Sequence, residues 1–218
     1  MDVRLRHPFS ALVTGPRASG KTEFVKQLLA RHRDMIVPSL DRVIWCYGVR
    51  QPQLEVELKS LFENIEFHGG VPDEIKDVGY FDPQQANLVV LDDLMEHAGN
   101  DCDVANMFTR GRRHYSVIML SQNLFHKGKF TRTISLNSDY IVAFKNTRDQ
   151  TQIVHLAKQM YPGNTRFLQE SYSDATSEPH SYLFLDMKPT TDDTLRVRAR
   201  IFDSPSVVYR PKHVARKR

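Results

Sequence analysis

Eight residues constrain this chain more than any others: Gly15, Pro16, Arg17, Ala18, Ser19, Gly20, Lys21 and Thr22 match the pattern G-x-x-x-x-G-K-S/T. In a phosphate-binding loop of this kind, the glycines let successive backbone N–H groups turn toward one point at a helix N-terminus, where they cradle a nucleotide's phosphates. Lys21 adds a point charge for the β- and γ-phosphates, and the Thr22 hydroxyl can complete a Mg²⁺ shell. The pattern acts this way only between a strand and a helix, and the chain supplies both. Phe9, Ala11, Leu12 and Val13 make an apolar run of strand length before it. Phe24, Val25, Leu28 and Leu29 follow at helical spacing, with Arg31, His32 and Arg33 where a helix C-terminus favours positive charge.

A second constraint is Leu88-Val89-Val90-Leu91-Asp92-Asp93-Leu94, four aliphatics ending in two carboxylates. Such a run suits a central strand buried on both faces, and acids at its carboxyl edge emerge where open α/β sheets place ligands. This is the form of a Walker B segment. Asp92 then holds Mg²⁺ through its water shell, and Asp93 polarises the water that attacks the γ-phosphate. A strand ending in a solvated acidic turn has the same letters.

Between Asp101 and Arg113 the spacing of Val104, Met107 and Phe108 predicts a helix that ends in Arg110, Arg112 and Arg113. Arginine there has three jobs open to it: a finger on a neighbouring subunit's γ-phosphate, a nucleic-acid phosphate contact, or a favourable charge at a helix C-terminus. Tyr115 to Leu120 reads as another strand, running into Ser121, Gln122 and Asn123, and Gln122 is placed to sense a γ-phosphate or orient water. Lys127, Lys129 and Arg132 follow in a loop with Phe125 and Phe130. Cations interleaved with aromatics suit nucleic acid, and they suit a solvated loop equally.

Further strands are expected at Val43 to Tyr47, Ile65 to Phe67 and Asp139 to Phe144, and helices around Leu54 to Phe62, Thr147 to Met160 and Thr165 to Ser177. Tyr182 to Met187 and Leu195 to Phe202 read as an antiparallel hairpin. In the second segment, period two puts Arg196, Arg198 and Arg200 on one face, turned to solvent or to a polyanion. Residues 1–206 form one domain in this reading, and 207–218 a basic tail.

Charge is informative by its distribution. The net charge is only +4. From Glu55 to Asp103 there are 13 acids against two bases, whereas Val104 to Arg148 holds eight bases and one acid. Such polarity accompanies polyanion-binding faces, and scattered surface charge produces it too. Cys46 and Cys102 lie in no metal-ligand spacing, and Cys46 sits in an apolar segment that suits a packed thiol. No apolar run approaches membrane-spanning length, and the charged first residues are no signal peptide. These features lead us to expect a soluble, intracellular protein with no membrane partner.

With both motifs, the strand between them and Gln122 in place, the chain resembles an additional-strand P-loop ATPase of the FtsK/HerA superfamily. The fold this implies is α/β and RecA/FtsK-like: a mostly parallel central sheet flanked by helices, with a C-terminal β-hairpin. More narrowly, the chain resembles the poxvirus-type genome-packaging ATPases of large DNA viruses, Maverick/Polinton elements and adintovirus-like or adomavirus-like small DNA viruses. The resemblance runs from Pro8 to about Phe202. Its most specific pieces are Leu91-Asp92-Asp93-Leu94, the Arg112-Arg113-His114 run leading to Ser121-Gln122-Asn123, and the Tyr182 to Met187 strand with its arginine-rich partner.

The resemblance implies an ATP-driven motor that threads double-stranded DNA into a preformed capsid, in a ring of roughly five or six copies with each site at a subunit boundary. Capsid or portal-like vertex proteins would be its partners, and the host nucleus, a virus factory or the virion its location. Lys21 and Thr22 would bind phosphates and Mg²⁺, Asp92 the metal, and Gln122 the γ-phosphate, while Arg112 or Arg113 would reach in from a neighbour. Many relatives carry glutamate where this chain has Asp93, one methylene shorter, and Glu96 is the nearby substitute. Three other activities share the phosphate loop: a superfamily 3 helicase, a nucleotide-binding assembly protein that hydrolyses little, and a nucleotide kinase. The guanine-specifying N-K-x-D pattern is missing, against a common GTPase.

Overall fold

The computed structural model describes residues 4–94, 101–109, 114–125 and 128–211. The strand predicted ahead of the phosphate loop is β2, Ser10–Thr14, and every residue in it is buried. β1 (Leu5–Arg6) precedes it and pairs in parallel with β3 (Ile36–Val37), a small separate ribbon. After the loop come α1 (Lys21–Ala30) and the single turn α2 (His32–Met35). β4 (Arg42–Tyr47), α3 (Pro52–Leu61), β5 (Ile65–Gly69) and the acid-tipped β6 (Asn87–Asp92) follow. The rest of the parallel unit is α4 (Cys102–Thr109), β7 (Ser116–Ser121), α5 (Thr131–Leu136), β8 (Tyr140–Phe144), α6 (Thr151–Met160) and α7 (Thr165–Ala175). The chain closes with β9 (Tyr182–Asp186), β10 (Val197–Ala199) and β11 (Val207–Tyr209).

Nine strands form one sheet in the order β11-β10-β9-β8-β2-β7-β6-β4-β5. β8, β2, β7, β6, β4 and β5 run parallel, and β9, β10 and β11 extend the sheet by antiparallel pairing. β7 lies between the phosphate-loop strand and the acid-tipped strand. That inserted strand is the defining feature of the additional-strand class.

Parallel strands need both faces covered, and alternation along the strands supplies two apolar layers. Phe9, Ala11 and Val13 face the side where α1 brings Phe24, Val25, Leu28 and Leu29, and α3 brings Leu58. Leu12 faces the opposite side with Val104 and Phe108 of α4, Ile134 of α5, Leu156 of α6 and Leu168 of α7. Each fully buried aliphatic or aromatic side chain in these layers is worth on the order of 1.5–3 kcal/mol. Cys46 is wholly buried in the second layer, and burial pushes its thiol up to about 12, so it behaves as packing.

Four expectations need correction. The cationic segment is not one loop, because Arg132 lies on α5, whose apolar contact is Ile134. The arginine-bearing strand is only Val197–Ala199, and its arginines do not share a free face. Arg198 is 3% exposed and forms an ion pair with Asp186 at 3.0 Å while lying over the Phe184 ring. Arg196 donates to the backbone carbonyls of Asp186, Lys188 and Thr191 and pairs with Asp193, so it staples the hairpin turn. The tail also begins later than 207, because β11 pairs residue for residue with β10 before the chain leaves the sheet.

Candidate nucleotide-binding site

The site is built at the carboxyl edge of three neighbouring strands. Thr14, the last residue of β2, is in register with Ser121, the last of β7, and Asp92, the last of β6, is in register with Leu120. Sheet pairing therefore brings the phosphate loop, the Gln122 turn and the acidic pair to one level. The N–H of Gly15 donates to Ser121 O at 3.1 Å, tying the loop directly to the β7 turn.

Gly20 caps α1 with φ 106, a left-handed conformation that side chains with a Cβ rarely adopt. The turn it makes opens the first N–H groups of α1, around Lys21 and Thr22, toward the loop's concave side, as phosphate binding requires. Lys21 Nζ donates to Gly15 O at 2.8 Å and Pro16 O at 2.9 Å. Burial lowers the pKa of this ammonium, and Asp92 and Asp93 oppose that shift.

Asp92 is buried, and its carboxyl is pushed up to about 6 by desolvation first and by Asp93 second, against Lys21 and a hydrogen bond from the Trp45 indole. Asp93 stands exposed in the left-handed region at φ 54. Gly48 makes room for that turn, since a Cβ on it would stand 2.8 Å from Asp93 O. Gln122 Nε2 donates to Asp93 Oδ1 at 3.4 Å, so the two residues assigned to water and γ-phosphate already meet.

A cleft of about 570 Å³ opens beside the loop, lined by Ala18, Ser19, Gly20, Lys21, Thr22 and Glu23, by Gln51, Gln53 and Leu54 before and on α3, and by His180. Asp92, Asp93 and Gln122 do not line this cleft. His180 leans on Gly20 from the loop before β9 and has φ 61. Among the described residues, four non-glycines have positive φ, and three of them, Ala18, Asp93 and His180, surround the phosphate loop. Such strain concentrates where a ligand is held.

Hydroxyl and carboxylate oxygens on Thr22 and Asp92 are the hard donors that Mg²⁺ takes. Two carboxylates opposed by one ammonium also leave room for added positive charge, which would draw the Asp92 pKa down again. The donor set fits the ion.

Of the other predicted contacts, Lys129 is exposed and lies over the Phe130 ring, its ammonium 5.2 Å from the centroid, and Arg132 is exposed on α5. Arg112, Arg113, Lys127 and Glu96 lie outside the described residues. Sequence reasoning missed Trp45, Gly48, Gln152 and His180. Trp45 and Gln152 read as helix or strand filler, and His180 is brought to Gly20 only by the antiparallel return of β9.

Strand order, phosphate loop and acid-tipped strand together define a P-loop ATPase fold. No protein-family model and no curated protein matches the chain. Among solved structures it is similar to the cytoplasmic domain of the Thermomonospora curvata type VII secretion ATPase EccC, with a TM-score of 0.55 at 13% identity over 92% of this chain. This chain covers 25% of that one, so the likeness is to a quarter of the EccC cytoplasmic domain and is one of fold. Matches at lower TM-score are the pCW3 conjugation coupling protein TcpA, in a monomer form with ATPγS (0.47; 13% identity; 93% of this chain, 59% of that one), and a KaiC-like protein of Pyrococcus horikoshii (0.43; 11%; 94% and 90%).

Proposed function

We propose that this chain is a Mg²⁺-dependent ATPase of the FtsK/HerA type that moves double-stranded DNA, and that it packages a viral genome into a capsid. The observation that carries the ATPase reading is the convergence of Lys21, Asp92, Asp93 and Gln122 at one sheet edge, with the Gln122 strand between the other two. The packaging step rests on the resemblance of the sequence motifs.

The chain's own groups suggest how hydrolysis proceeds. Lys21 leaves two neutral loop carbonyls for the phosphates, a stronger, charge-assisted partner. A bound Mg²⁺ would be held by Thr22 and Asp92 and would neutralise charge on the phosphates. Asp93 takes the proton of the attacking water, and Gln122 holds Asp93 and orients that water. A trans arginine at Arg112 or Arg113 would stabilise the transferring phosphoryl group. Lys129 and Arg132, with Lys127, would contact DNA phosphates, which carry no sequence information and so suit a motor that must accept any sequence.

The test is steady-state ATP hydrolysis by wild type and Asp93→Asn, with and without long double-stranded DNA. Stimulation of the wild type by DNA and a loss of about 100-fold or more in Asp93→Asn are expected. Hydrolysis indifferent to DNA would remove the motor and leave a simple ATPase. No hydrolysis under any DNA condition would favour the assembly-protein reading.

A further inference from the structure

We infer that Gln152 is a positioning residue for hydrolysis: it anchors the Ser121-to-Leu124 turn to α6 and so holds Gln122 against Asp93. The inference rests on the ATPase reading above. Among the described residues the Gln122 side chain makes one hydrogen bond, the long one to Asp93, so its position depends on the turn that carries its backbone. The turn is fixed from within by Ser121 Oγ, which donates to Asn123 O at 2.7 Å and accepts from Asn123 N at 3.2 Å. From outside, among the described residues, it is held by Gly15 N, which donates to Ser121 O at 3.1 Å, and by the side chain of Gln152. Gln152 Oε1 accepts from Leu124 N at 2.6 Å, and its Nε2 donates to Asn123 Oδ1 at 3.2 Å and to Asp149 Oδ2 at 2.8 Å.

A glutamine amide offers two donors and one acceptor oxygen, and here both ends are used on groups that flank Gln122 or start α6. The side chain is 8% exposed on the second position of α6, where periodicity alone would place an apolar residue. A buried amide with this many partners is costly to replace and specifies one geometry. Asp149 is in turn held by the Thr151 hydroxyl and by Thr151 N at 3.1 Å, so the anchor is the first turn of α6 itself. Leu156 and Ala157 of α6 lie in the apolar layer that also holds Leu12 of β2 and Leu168 of α7, which gives the helix a packed base. The arrangement sets Gln122 by a helix on the opposite face of the sheet from α1, the helix that the phosphate loop opens.

The test is a double-mutant cycle on the full chain between Gln122→Ala and Gln152→Met, a change that keeps length and removes both hydrogen-bonding ends. Hydrolysis is measured with and without DNA, binding of ATPγS by titration, and folding by thermal melting. Gln152→Met is expected to lower kcat by about ten- to a hundredfold, the cost of misplacing a catalytic group from a distance. Affinity for ATPγS should stay within about twofold, because the phosphate loop is untouched. In the Gln122→Ala background the same change should add less than about twofold, since the residue it positions is gone. Should Gln152→Met melt below the assay temperature, Asn123→Ala, which removes one partner of the same amide, carries the cycle with the same expected signature. Losses that multiply in the double variant, or a weakened ATPγS affinity with kcat unchanged, overturn the positioning role while leaving the ATPase reading standing. A wild type that hydrolyses no ATP overturns both.

Discussion

At Asp92 burial raises the carboxyl pKa first and Asp93 second, while Lys21 opposes both, so desolvation and residue-scale charge together decide how this edge of the sheet behaves. The opposite edge carries a different titrating group. His7 shares Ser116 Oγ with the N–H of Phe9: Nδ1 lies 2.7 Å from that oxygen, and Phe9 N donates to it at 3.1 Å. Burial lowers the His7 pKa from 6.5 to about 4, with Asp41 opposing and Lys188 adding to the shift. In the unfolded chain the ring takes a proton near 6.5, so between about 4 and 6.5 the unfolded state binds more protons. The contribution is therefore fully present above about 6.5 and is lost as pH falls toward 4. Melting temperature should drop over that window in wild type, and His7→Asn should flatten this part of the slope. An unchanged slope would assign the acid sensitivity to other groups.

At the scale of elements, strand ends were the legible part of the sequence, because an aliphatic run that stops at a polar residue marks both a strand and its exit. That is why the places of Gly15 to Thr22, Asp92, Asp93 and Gln122 at strand ends could be read directly, and why the sheet's core strands fell within a residue or two of expectation. Hidden from the sequence were contacts made by the return of the chain, such as Gln152 to the β7 turn and His180 to Gly20. Arg198 shows the limit of period-two reasoning: alternation assigns a face, but cannot tell a solvent face from one where an acid waits on the next strand. The pair it makes with Asp186 is 3% and 9% exposed on its two side chains. Removing one partner of such a pair leaves a lone buried charge, so Arg198→Met should cost about 3–5 kcal/mol in chemical denaturation. Arg198→Met with Asp186→Leu should recover most of that loss, since two well-packed apolar groups can replace a buried pair. A double variant as unstable as the single one would mean that Arg198 acts through its place over the Phe184 ring instead.

For the whole molecule, the nine-stranded sheet leaves β5 and β11 at its edges and the phosphate loop near its middle, open on the α1 and α3 side through a cleft lined by this chain. In the proposed mechanism Lys21, Asp93 and Gln122 would supply phosphate binding, the base and the sensor from one copy, whereas the ring reading takes the transition-state arginine from another. The two arrangements differ in how dead subunits count. When wild type is mixed with Lys21→Ala at fixed total concentration, independent subunits lose DNA-stimulated hydrolysis in proportion to the dead fraction. In a ring whose sites borrow an arginine and fire in coordination, one inactive copy silences neighbours as well. The curve then falls below the proportional line, with activity largely gone at equal parts. Lys21→Ala is the right poison because, among the described residues, Nζ hydrogen-bonds two carbonyls of its own loop, so its loss leaves the sheet and both apolar layers intact for assembly. A straight line through the mixing series would show each copy working alone, and the arginines after α4 would then have a task other than completing a neighbour's site.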